Sequence, residues 1–180
     1  YDKINSRFSN NNFEIVIINK QYNSKSIEYL KDLSKKYSSL KIFFLASKIY
    51  YENSFIVGFD NAIGDVVISV DLAKHPLELL EKHINNFLSG YQISVGIQND
   101  ILKSRNILKK FFYKVYYKTL SYLSNRKHNY AVSTSKLFTR DVVNIFSTRR
   151  LEYQFFSSFS DFPGFKCKEV SFDNKFEYKK

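Results

Sequence analysis

The chain has 180 residues, enough for a folded core, and its 44% hydrophobic and 25% charged content is that of a globular protein. Its one cysteine, Cys167, excludes an intrachain disulfide and fits a reducing compartment. No apolar run reaches the ~20 residues that cross a membrane, and no signal-peptide pattern opens the chain. The net charge of +11 is concentrated: residues 101 to 140 contain no Asp or Glu and ten cations, Lys103, Arg105, Lys109, Lys110, Lys114, Lys118, Arg126, Lys127, Lys136 and Arg140.

In chain order, "FEIVII" (13 to 18) is a short β-branched run that predicts a strand buried on both faces. Residues 23 to 37 carry Ile27, Leu30 and Leu33 at helical spacing, with Ser24 or Ser26 as the cap. A second strand is predicted over 40 to 46. A helix over 52 to 63 follows, closed by Gly64, and then a third strand over 65 to 71. Pro76 suits the first turn of a helix over 76 to 89, which Gly90 stops before a fourth strand at 91 to 98. Strands alternating with helices predict an α/β fold with one mainly parallel sheet, and ligands in such sheets bind beyond the carboxyl ends of the strands. Those ends are residues 19 to 23, 46 to 50, 71 to 75 and 97 to 101.

Beyond 101 the rhythm changes. Residues 101 to 124 predict one long helix, with Leu108, Phe111, Phe112, Val115, Thr119, Tyr122 and Leu123 along one face and Lys103, Lys110, Lys114 and Lys118 near another. Phe111, Phe112 and Val115 are expected to be buried and the four lysines exposed. "KLFTRDVVNIFS" (136 to 147) starts as a strand and continues as a helix. A further aromatic helix is predicted over 153 to 162, and a late strand over 165 to 173.

"GFDNAIGDVVISVDLAKHPLELLEKHINNFLSGYQISVGIQND" (58 to 100) resembles the centre of a family 2 glycosyltransferase. The likeness is greatest to the branch of dolichyl-phosphate mannose synthase and the bacterial undecaprenyl-phosphate glucosyltransferases. It rests on Gly58-Phe59-Asp60 with Gly64-Asp65, on His75-Pro76 with Glu78-Leu79, and on Gly90-Tyr91 before the strand holding Gly96. Residues 108 to 124 resemble the family's next long helix, and 165 to 180 its closing strand and basic tail. The resemblance implies a GT-A fold, a Rossmann-like, mainly parallel sheet flanked by helices. It implies one domain over 1 to 180, with a nucleotide-sugar half at 1 to 100 and an acceptor half at 101 to 180. It implies a divalent cation, Mg²⁺ or Mn²⁺, on the donor diphosphate, and a lipid-phosphate or cell-surface glycan acceptor. The family's first strand has no counterpart here, and the chain starts at Tyr1 without any methionine, so a fragment or processed form is expected.

The departures from the family's pattern fall on its acids. Where the second family strand ends in paired aspartates, this chain has Asn19 and Lys20; where the third ends in an Asp-x-Asp motif, it has Asp71-Leu72-Ala73; and no acid precedes Asp141 in "NYAVSTSKLFTRD". A hard divalent cation wants several oxygen ligands, and Asp71 brings one carboxylate, to which His75 could add a nitrogen that Mg²⁺ binds poorly. Asn19, Lys20, Asp71, Lys74 and His75 are the candidate donor-binding residues, with Lys20 or Lys74 as metal-free charge for a diphosphate. Read without the family, Asp71 is a strand-end or cap residue and His75 a cap beside Pro76. The basic helix reads as a solvated face, or as a docking surface for an anionic membrane at its cytoplasmic side, with Lys103, Lys110, Lys114 and Lys118 in contact. Nucleic acid ranks last, since no recognised motif supports it. The two functions in play are a nucleotide-sugar transferase and a non-catalytic module of the same fold.

Overall fold

The computed structural model describes residues 4, 6, 12–19, 23–45, 51–71, 74–99, 107–124, 131–148 and 164–173; for 51–53, 107, 109, 110, 124 and 146 it describes the backbone alone. Lys20, Lys103 and the helix predicted over 153 to 162 lie outside the described residues. The chain divides into two compact units, Tyr1–Asp65 and Val66–Lys180.

In the first unit, β1 (Ile15–Asn19) lies parallel to β2 (Leu40–Phe44), with Ile15 opposite Leu40 and Asn19 opposite Phe44. Parallel strands need a crossover, and α1 (Ser24–Lys36) supplies it. Its cap is Asn23, whose side chain accepts the Lys25 N–H at 3.1 Å, and not Ser24 or Ser26. Lys35 and Lys36 in its last turn suit the negative end of the helix dipole. The next helix, α2 (Tyr51–Asn61), stops short of Gly64, which lacks the positive φ of a closing glycine. The turn beyond it is held by Glu14, whose carboxylate accepts the N–H groups of Ile63 and Gly64 and pairs with Lys41 Nζ at 2.6 Å. Burial pushes the Glu14 carboxyl up, but Lys41 and the two backbone donors outweigh it and leave the group below its ordinary range.

The second unit holds β3 (Val66–Ser69), α3 (Glu78–Leu88), β4 (Ile93–Gln98), α4 (Ile107–Ser124), β5 (Val132–Thr139), α5 (Arg140–Thr148) and β6 (Cys167–Phe172). Its sheet runs β3-β5-β4-β6, with β5 antiparallel to both neighbours and β6 parallel to β4. β4 is the centre: Ile93, Val95 and Ile97 are buried on one side, Ser94 and Gly96 on the other. α3 packs across β4, β5 and β6 through Leu79, Leu80 and His83. α5 packs on β5 and β3, with Val142 and Val143 buried. Gly90, at φ 85°, ends α3 as expected.

The fold is α/β, with parallel strand pairs and helices alternating with strands in Rossmann-like succession. Two expectations need correction. The four predicted strands all form, yet the hydrogen bonds of the described residues join them in two sheets, not one. β3 and β4 do not pair with each other, because β5 arrives later in the chain and takes the facing edge of each. The second correction concerns α4. Phe111, Phe112 and Val115 are 61%, 69% and 47% exposed, not buried. Tyr117, Leu120 and Ser121 are the half-buried line of that helix, so the apolar face found by periodicity looks outward.

Candidate functional site

The loop after β3 gathers three of the candidate residues. Ser69 ends the strand by turning its hydroxyl onto β5: it donates to the Thr134 carbonyl at 2.6 Å and accepts the Lys136 N–H at 3.1 Å. Two residues on, the Asp71 carbonyl accepts the N–H of Lys74 at 2.9 Å and of His75 at 2.8 Å. The Asp71 N–H donates to His75 Nδ1 at 2.9 Å. Residues 71 and 75 thus close on each other through main chain and imidazole. The Asp71 carboxylate meets Lys74 Nζ at 3.2 Å.

His75 is buried, its ring set edge-on to Phe172 of β6 at 5.4 Å. Burial lowers it to about 4, against the opposing pull of Asp71 and with a smaller push from Lys74. A neutral ring that accepts at Nδ1 carries its proton on Nε2, so the Nδ1 lone pair is committed to the loop. Among the described residues no three His, Cys, Asp or Glu side chains stand together as a cation would need. The one carboxylate here is already paired, and Leu72 and Ala73 carry no ligating atoms. The donor set does not fit Mg²⁺ or Mn²⁺.

The other candidates are dispersed. Asn19 closes β1 in the first unit, where its carbonyl accepts the Leu45 N–H at 3.2 Å. Lys114 and Lys118 are exposed on α4; Lys110 lies on the same helix, its side chain not described.

The sequence reading passed over a polar cluster under α3. His83 is fully buried, with Nδ1 2.7 Å from Ser94 Oγ and Nε2 3.1 Å from Ser135 Oγ. Asn86 Nδ2 donates to Ser94 Oγ at 2.9 Å. The neutral ring carries one proton, so one of its nitrogens donates to a serine and the other accepts from one. Burial, with a smaller effect of His75, lowers His83 to about 4. A signal existed: His83 follows Leu79 and Leu80 at helical spacing, on the stripe that must be buried. Lys136 gave no such signal. It lies in β5, fully buried, and burial lowers it to about 7 against a partial offset from nearby Cys167. Strand alternation places it with Phe138, a pairing that reads equally well as a solvated edge.

No protein-family model matches the chain. It is 24% identical over 164 residues, 91% of its length, to the glycosyltransferase sll0501 of Synechocystis sp., which is named as uncharacterised. It is 24% identical over 163 residues, 90% of its length, to CsbB of Bacillus subtilis, whose name as a glycosyltransferase is provisional. The chain spans about half the length of these relatives, 51% and 49%. The chain is thus similar to proteins named as glycosyltransferases along nearly all of its own length.

Proposed function

We propose that this is a glycosyltransferase-like domain of the family 2, GT-A type, related to enzymes that move a sugar from a nucleotide donor to a lipid phosphate or cell-surface glycan. In this reading the donor diphosphate is met by a side-chain cation, Lys74 or Lys20, rather than by a divalent metal. The observation that carries it is the loop after β3, which keeps one acid at the strand's carboxyl end and sets Lys74 3.2 Å from it. Two relatives named as glycosyltransferases support the lineage. The same ion pair favours a second reading, a non-catalytic module of this fold, because Asp71 both neutralises Lys74 and repels a diphosphate.

The two kinds of donor site respond to Asp71→Ala with opposite sign. Where lysine holds the diphosphate, removing Asp71 frees Lys74, so metal-free affinity for UDP or GDP rises by a few-fold, on the order expected for one screened charge at this exposure. Where a cation holds it, affinity needs Mn²⁺ and collapses in Asp71→Ala. Calorimetry with UDP, GDP and their sugars, with and without Mn²⁺, separates the cases. Metal-free binding that strengthens in Asp71→Ala and weakens in Lys74→Ala supports the proposal. Sugar release from the donor distinguishes enzyme from module. No binding in any arm leaves the module and removes the donor site.

A further inference from the structure

We draw no further inference here: the strongest candidate, the fully buried Lys136 of β5 together with the half-buried Cys167 of β6, carries nothing, because β4 lies between the two strands and the pairing rests on the lowered titration of Lys136 and a lone cysteine.

Discussion

At the scale of single residues, the second sheet depends on Gly96. A Cβ at that position would stand 2.6 Å from Ser133 Oγ, 2.9 Å from the Ser135 carbonyl oxygen and 3.3 Å from the Phe172 ring. A serine hydroxyl can rotate away; a carbonyl inside a paired strand cannot move without breaking its ladder. Gly96→Ala is expected to destabilise the unit by about 2–3 kcal/mol, as overpacking of a filled core does. Urea denaturation of the variant measures it, and a midpoint equal to wild type would mean that β4 and β5 are less closely apposed than they stand here. His75 and His83 act at the same scale with different duties. The first closes the Asp71 loop, and the second fastens α3 to β4 and β5 through two serines. Both are neutral and hydrogen-bonded, which is why their burial is tolerated.

At the scale of elements, α4 behaves unlike the other described helices. α3 buries Leu79, Leu80 and His83 against the sheet, whereas the apolar arc of α4 is turned outward. Stability measurements should separate the two. Phe112→Ser on α4 is expected to shift the stability by no more than about 0.5 kcal/mol, the usual reach of a surface change. A phenylalanine in a core loses about 3–5 kcal/mol on truncation. Thermal or urea melts decide between them, and a core-sized loss would show that this face is covered in solution. Within α4 the rings of Phe112, Tyr113, Tyr116 and Tyr117 line a shallow open hollow. Burial, with Tyr116 and Tyr113 beside it, raises the Tyr117 phenol above its ordinary range. The loop from Asp71 to His75 is the second distinctive element, because its geometry is set by main chain and imidazole and leaves one carboxylate paired with lysine.

At the scale of the whole molecule, His75, His83, Lys136 and Glu14 tilt stability in one direction, toward higher pH. His75 and His83 protonate near 4 when folded but near 6.5 when unfolded. Between those values the unfolded chain binds more protons, so stability is lost as pH falls through that window, on the order of 3 kcal/mol for each histidine. Lys136 releases its proton near 7 when folded and near 10.5 when unfolded. The unfolded chain again holds more protons, so stability climbs as pH rises from 7 toward 10.5. Glu14, lowered from 4.5, adds stability that is lost as pH falls below that value. The net charge of +11 relaxes over the same rise toward a pI near 9.5. The urea midpoint is therefore expected to increase with pH on both sides of neutrality. Lys136→Met should be more stable than wild type at pH 7, by about 1–2 kcal/mol, because a buried ammonium is replaced by an apolar side chain of similar length. It should also flatten the alkaline rise, and His83→Gln the acid one. A rise that persists unchanged in Lys136→Met would assign the alkaline limb to some other group.

The sequence by itself determined the order of elements, because periods of two and of 3.6, and the glycine at 90, are local properties of the chain. It also determined which residues of α4 share a face, and that one acid with a lysine and a histidine follows β3. It could not determine the sheets: β5 separates β3 from β4 through hydrogen bonds between residues some 70 positions apart, such as Ser69 with Lys136, and no local pattern encodes that choice. Nor could it say which way α4 turns, since periodicity defines a stripe and only tertiary packing decides whether the stripe meets the core or the solvent. The burial of Lys136 was illegible for a related reason. Its neighbours arrive from β3, β4 and β6, and the desolvation that lowers it to about 7 exists only once they have closed around it.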